Sequence, residues 1–193
     1  MTRALFIVDV QNDFTEGGAL GVAGGDAVAE AITAHLAAHA GEYAVIVASR
    51  DWHDPDSDNG GHIALSGAPD FVDTWPVHCI AGTSGADYDP GLDTTSVTAH
   101  VKKGQGKPAY SLYEGTTDAG ATAAAILAEH GVTDVDVSGI ATDYCVRASA
   151  LDAIAHGLRV RILTDLIAGV AEESSQAALV ELAHAGAELR PRP

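Results

Sequence analysis

Apolar runs alternate with amphipathic stretches along the chain, and the alternation predicts β-strands separated by α-helices. A near-continuous apolar run, typical of a strand covered on both faces, occurs at 4–10. Further strands are predicted at 43–49, 96–101, 135–139, 159–163 and 187–190. Helical spacing of apolar residues follows at 26–40, with Asp26 as N-cap, and at 118–130, 148–156 and 173–185. We therefore predict one α/β domain over 1–193, a three-layer α/β/α sandwich around a parallel sheet.

Residues capable of chemistry follow several of the predicted strands. Asp9 ends the first strand, Asp51 and His53 follow the second, Lys103 ends the third, and Cys145 lies in the turn after the fourth. In open parallel sheets the carboxyl ends of the strands share one edge, where ligands bind. We expect these side chains to meet there.

Cys145 is the candidate nucleophile of this edge. It falls at the predicted start of a helix that directly follows a strand, where free backbone N–H groups favour a thiolate and can hold an oxyanion. Asp9 could act as its general base, and Lys103 could lower the pKa of the thiol. Lys102 competes with Lys103, but strand alternation allows only one of them to face the site. The simpler alternative is a buried core cysteine beside a surface Asp and Lys.

A long loop at about 51–95 carries a candidate metal site. Asp51, His53, His62 and His78 offer one carboxylate and three imidazoles, a ligand set that suits one divalent Zn, Fe or Mn ion. Cys79 directly follows His78 and could replace it as a ligand, and loop histidines can also be purely structural. Loops of this length without periodicity are usually functional or disordered, and two tryptophans favour order.

Three aromatic residues are expected beside these groups. Phe14, Trp75 and Tyr144 could enclose a flat ring as substrate-binding residues, or could simply pack the loops together.

Composition narrows the range of partners. The 27 acidic and 10 basic residues give a formal charge of -17, which argues against nucleic acid or an anionic membrane and favours an uncharged or cationic small molecule. No apolar run resembles a signal peptide or a membrane span, and two cysteines make no disulfide framework. We therefore predict a cytoplasmic protein, and the sequence does not distinguish a monomer from a homo-oligomer.

Six motifs give the chain a family resemblance. They are IVDVQNDF at 7–14, SRDWHDP at 49–55, DTWPVHCIAGTSGAD at 73–87, KG at 103–104, YSLYEG at 110–115 and GIATDYCV at 139–146. Together they resemble the nicotinamidases, also called pyrazinamidases, of the isochorismatase-like cysteine hydrolases. The resemblance implies a sheet of six parallel strands.

The resemblance also implies roles for the residues of the site. It implies a catalytic triad of Asp9, Lys103 and Cys145, and a metal site made by Asp51, His53, His62 and His78. It implies a cis peptide between Ile140 and Ala141, and an oxyanion held by the amides of Ala141 and Cys145.

The implied reaction is metal-dependent hydrolysis of nicotinamide to nicotinate and ammonia through a thioester, as in NAD salvage, with pyrazinamide as a second substrate. The Asp-x-His segment favours this activity over sister enzymes that act on isochorismate or carbamoyl compounds. At Thr15 and Tyr144 the chain carries other residues than some members of the family, and these differences bear on how the substrate fits. The alternatives are a sister hydrolase acting on another small amide or vinyl ether, and a non-catalytic metal-binding module.

Overall fold

A six-stranded parallel sheet forms the centre of the molecule. The computed structural model of the chain describes residues 1–192. The strands are β1 (Arg3–Val8), β2 (Val45–Asp51), β3 (Ala99–Lys103), β4 (Asp134–Ile140), β5 (Arg159–Ala168) and β6 (Glu188–Arg190). Their order across the sheet is β3-β2-β1-β4-β5-β6, which confirms the predicted fold class.

Helices cover both faces of the sheet. They are α1 (Gly25–His39), α2 (Ala123–Glu129), α3 (Arg147–Ala155) and α4 (Glu172–Ala185). On one face, Leu5 and Ile7 of β1 pack with Ile32 of α1. On the other, Phe6 packs in the cluster that contains residues of α2, α3 and α4, such as Leu182. Because consecutive strand residues point to opposite faces, the unbroken apolar run of β1 serves two cores.

The order of the strands reverses at β1. On one side of β1 lies β2, the next strand along the chain, and on its other side lies β4, the first strand of the other half of the sheet. The crevice at such a switch point, outside the carboxyl ends of the strands, is the usual ligand site of open α/β sheets. Asp9 directly follows β1, and the segment that carries Cys145 directly follows β4.

Two local predictions are wrong. Gly24, in left-handed conformation, occupies the N-cap of α1, and Asp26 lies in the first turn. Helix α2 begins only after Thr122, whose side chain accepts from Ala125 N, because residues 116–122 form a tight turn. Cys145 lies, as predicted, in the first helical turn after β4. This turn, Thr142–Val146, is π-helical and leads directly into α3, and in it Val146 N donates to Ala141 O at 3.1 Å.

Strand β3 also starts later than its apolar pattern suggests, because a turn at Thr94–Val97 comes first.

Among residues 1–192, no helix has the length and apolar character needed to cross a bilayer.

Candidate active site

A fully buried lysine lies at the centre of the carboxyl-end crevice. The Lys103 ammonium is 2.9 Å from Asp9 Oδ2 and donates a short hydrogen bond to Asp51 Oδ1. It also donates to Ala109 O at 3.1 Å and lies 3.6 Å from Cys145 Sγ. Burial opposes the charged form, but Asp51 and Asp9 raise the pKa of Lys103 well above its ordinary value. The ammonium is therefore a fixed positive charge.

The neighbouring lysine takes no part in this cluster. Lys102 pairs with Asp118 at 2.7 Å and lies 4.5 Å from the centre of the Trp52 ring. Strand alternation thus resolves the competition between the two lysines in favour of Lys103.

The two buried carboxylates have opposite pKa shifts. Burial raises the pKa of Asp9 above 3.8, although Lys103 opposes the shift and Ser49 Oγ donates to Asp9 Oδ1 at 2.7 Å. Burial also acts to raise the pKa of Asp51, but Lys103 and the neighbouring His53 and His78 hold that pKa well below 3.8. Asp9 is therefore the carboxyl group better suited to gain and lose a proton.

The state of Cys145 differs from the one its sequence position suggested. Burial raises the pKa of the thiol well above 9.0, and this effect outweighs the Lys103 charge that acts to lower it. The nearby charges of Asp9 and Asp51 reinforce the rise. Burial of a side chain that is only 7% exposed therefore opposes the thiolate that a position at the start of a helix favours.

Three buried imidazoles lie beside the lysine cluster. His53, His62 and His78 each offer a ring nitrogen, and these atoms lie within 4.8 Å of one another. Asp51 Oδ2 is 3.7 Å from His53 Nε2 and 3.8 Å from His78 Nε2. Burial and the two other imidazoles lower the pKa of His62 to about 4. His62 can thus bind as a neutral ligand.

Backbone carbonyls fix the orientation of two of these rings. His53 Nδ1 donates to Gly104 O at 2.9 Å, and His78 Nδ1 donates to Pro76 O at 2.7 Å. Both rings therefore keep the Nε2 lone pair free on the side of Asp51. His53 Nε2 is buried and has no hydrogen-bond partner within residues 1–192, which fits a metal ligand.

Cys79 stays outside the imidazole cluster. Its side chain is fully buried, with Sγ 3.9 Å from Gly85 O. Its backbone instead supports the site, because Cys79 O accepts from His53 N at 3.0 Å and Cys79 N donates to Asp13 Oδ2 at 2.6 Å. The structure thus places His78 in the cluster and Cys79 behind it.

A cavity of about 260 Å³ opens onto the nucleophile and the imidazoles. Its walls include Phe14, Trp75 and Tyr144, as the sequence predicted, together with Ala141 and Cys145. The Trp75 ring meets Tyr144 edge-on with centroids 5.2 Å apart. The peptide between Ile140 and Ala141 is cis.

Sequence reasoning missed two residues that shape the site. Tyr110 lines the cavity, where its hydroxyl accepts from Trp75 Nε1 at 3.1 Å. Gln11 is fully buried, accepts from Asp51 N at 2.8 Å and donates to Asp51 O at 2.9 Å. Both lie within the motifs that carry the resemblance, which is the signal that could have singled them out.

Known proteins share this architecture. The family model described as "Isochorismatase domain" matches residues 3–192. The chain is 49% identical over 187 residues to the nicotinamidase/pyrazinamidase of Mycobacterium tuberculosis, covering 97% of each chain.

Solved structures agree with the sequence comparison. The pyrazinamidase of Pyrococcus horikoshii in complex with zinc is similar, with a TM-score of 0.83, 35% identity and 99% of each chain covered. PnC1 from L. infantum in complex with nicotinate has a TM-score of 0.83 and 34% identity, covering 98% of this chain and 92% of that one. The chain belongs to the isochorismatase domain family.

Proposed function

We propose that this chain is a nicotinamidase, active also on pyrazinamide, that hydrolyses the carboxamide through a thioester on Cys145. The observation that carries the proposal is the buried Lys103, which lies within reach of Asp9, Asp51 and the Cys145 sulfur at once. The named relatives support the choice of substrate, since proteins 49% and 33% identical to this chain are a nicotinamidase/pyrazinamidase and a nicotinamidase.

Asp9 is the proton carrier of the proposed reaction. Its raised pKa suits repeated protonation, and Lys103 beside it keeps the group oriented. Because Cys145 rests as a thiol, its proton must leave as the sulfur attacks. Asp9, which shares the Lys103 ammonium with the Cys145 sulfur, is the proposed acceptor of that proton.

The first half of the reaction releases ammonia. The Cys145 sulfur forms a bond to the carboxamide carbon, the thiol proton passes to Asp9, and the carbonyl oxygen becomes an oxyanion. The backbone N–H groups of Ala141 and Cys145 are the proposed donors to this oxyanion, since both residues line the cavity. When the carbon–nitrogen bond breaks, the leaving nitrogen takes the proton from Asp9 and departs as ammonia, and a thioester remains.

The second half regenerates the enzyme. A water molecule attacks the thioester carbon and gives one proton to Asp9. The carbon–sulfur bond then breaks, and the Cys145 sulfur recovers the proton from Asp9. The acid product is released as nicotinate.

Asp51, His53, His62 and His78 are proposed to hold one divalent metal ion beside the triad. Three observations fit a metal with nitrogen and oxygen ligands, such as Zn, Fe or Mn. They are the free Nε2 of His53, the low pKa of Asp51 and the neutral state of His62. When bound, the ion supplies an electrophile for the pyridine nitrogen of the substrate, directly or through water.

Aromatic side chains are proposed to hold the substrate ring. Phe14 and Trp75 flank the cavity, and Tyr144 packs between Trp75 and Tyr110. A ring held among them places the carboxamide next to Cys145, and orientation of this kind lowers the barrier to attack.

The deciding experiment measures ammonia release from nicotinamide by the purified protein before and after chelation. Cys145→Ala should abolish turnover and keep the metal content, whereas His53→Ala should lose metal and weaken substrate binding. Normal turnover by Cys145→Ala would refute the thioester scheme. Release of ammonia from other amides but not from nicotinamide would indicate a sister hydrolase, and no release from any amide would indicate a metal-binding module.

A further inference from the structure

A fully buried asparagine organises the loop between two of the imidazoles. Asn59 lies between His53 and His62 along the chain, and its side chain is 0% exposed. Its backbone has a φ of 49°, in the left-handed region that Asn tolerates better than most residues. Neither the proposed chemistry nor the motifs of the family resemblance give this residue a role.

The Asn59 amide uses its full hydrogen-bonding capacity. Its Oδ1 accepts from Asp54 N at 2.8 Å and from Gly106 N at 3.0 Å. Its Nδ2 donates to Asp54 O and to Ser57 O, each at 3.1 Å. Two donors and two acceptors are all that a carboxamide side chain offers. A buried amide with every partner in place fixes the surrounding backbone in one arrangement.

These contacts connect the backbone next to His53 and the turn that contains His62 to the segment that follows β3. Asp54 follows His53 directly, so the paired hydrogen bonds to its N–H and C=O hold the start of the loop. A backbone bond from Ile63 N to Asp58 O, at 2.8 Å, closes the turn that contains Asn59 and His62. Gly106 belongs to the segment after β3, where Gly104 O orients the His53 ring.

We propose that Asn59 is a positioning residue that sets the distance between His53 and His62 and so preorganises the three imidazoles for a metal ion. The inference rests on the metal site of the proposed function. Asn59 acts through the backbone of Asp54, Gly106 and the His62 turn. Loss of its amide should therefore weaken metal binding and leave the Asp9, Lys103 and Cys145 cluster in place.

The test compares zinc binding by the wild-type protein and three variants, measured by competition with a chromophoric chelator. Asn59→Asp keeps the size of the side chain but loses both donors and turns a carboxylate oxygen towards two carbonyl groups. Asn59→Gly keeps the left-handed backbone at no steric cost and removes the amide. Asn12→Asp is the matched control, since Asn12 makes one side-chain hydrogen bond, to Ser84 O, and this bond does not involve the segment from His53 to His62.

Both Asn59 variants should bind zinc 10- to 100-fold more weakly than wild type, which is the usual effect of removing a group that orients metal ligands. The control Asn12→Asp should bind zinc as tightly as wild type. At saturating zinc their kcat for nicotinamide should return to near the wild-type value, whereas the zinc concentration for half-maximal activity should rise. Circular dichroism in chelator establishes that each variant is folded, and Asn59→Gly decides the question if Asn59→Asp does not fold.

Two other outcomes count against the inference in different ways. Wild-type zinc affinity in a folded Asn59→Gly protein would overturn the positioning role and leave the metal site intact. Failure of the wild-type protein to bind zinc would overturn the proposed metal site, and the inference with it.

Discussion

Replacing Lys103 with methionine should destabilise the fold more than any surface substitution of a charged residue. Methionine matches the length of the lysine stem, so the change removes the positive charge with little loss of packing. It leaves the carboxylates of Asp9 and Asp51 buried at 0% and 3% exposure without their shared cation. Breaking a buried ion pair in this way costs about 3–5 kcal/mol, because one charge stays buried without compensation.

Thermal unfolding followed by circular dichroism measures this cost. For a chain of this length each kcal/mol lowers the Tm by about 2–4 °C, so Lys103→Met should unfold about 6–20 °C below wild type. The measurement is made in chelator, so that no bound ion neutralises Asp51. Adding Asp9→Asn should recover part of the loss, because it removes one of the two unpaired charges.

Lys102→Met is the matched control for this experiment. Its ammonium pairs with the exposed Asp118, and solvent screens that pair. Its Tm should therefore lie close to that of the wild type. Equal Tm values for the two lysine variants would refute the reasoning, because they would mean that Lys103 does not compensate the buried carboxylates.

Two further predictions concern the thiol and the turn after β3. In a Cys79→Ser background, iodoacetamide should label Cys145 slowly at pH 7 and faster as the pH rises to 9.0 and beyond, because burial raises the pKa of the thiol. A labelling rate that is already at its maximum at pH 7 would contradict this prediction. Gly104→Ala should weaken zinc binding about 10- to 100-fold, since its Cβ would lie 2.6 Å from His53 Cε1. Gly120→Ala has a similar φ and open space around the added Cβ, so unchanged zinc affinity in that control would assign the effect to the clash.

The convergence of the site could be predicted because it depends on topology alone. Asp9, Asp51, Lys103 and Cys145 are far apart in sequence, but each lies at or just after the carboxyl end of a parallel strand. Parallel strands place those ends along one edge, and β1, β2 and β4 lie next to one another there. Apolar runs were therefore enough to indicate which side chains would meet.

The protonation state of Cys145 could not be predicted in the same way. A local rule based on the N-terminus of a helix favours the thiolate, and Cys145 does lie in the first, π-helical turn that leads into α3. Its pKa depends on how completely the surrounding loops exclude water, and that is a property of tertiary packing. Asn59 was missed for a related reason, since its partner Gly106 is 47 positions away and no pattern links them.

Two consecutive residues connect the nucleophile to the imidazole cluster. The Lys103 side chain reaches Asp9 and the Cys145 sulfur, while Gly104, with a φ of 87°, turns its carbonyl to His53 Nδ1. A residue with a Cβ at Gly104 would collide with the His53 ring, so the close approach requires glycine. Any shift of this end of β3 would therefore move the charge beside the thiol and the orientation of His53 together. Binding at the imidazoles and the reactivity of the thiol should consequently respond to the same substitutions in this turn.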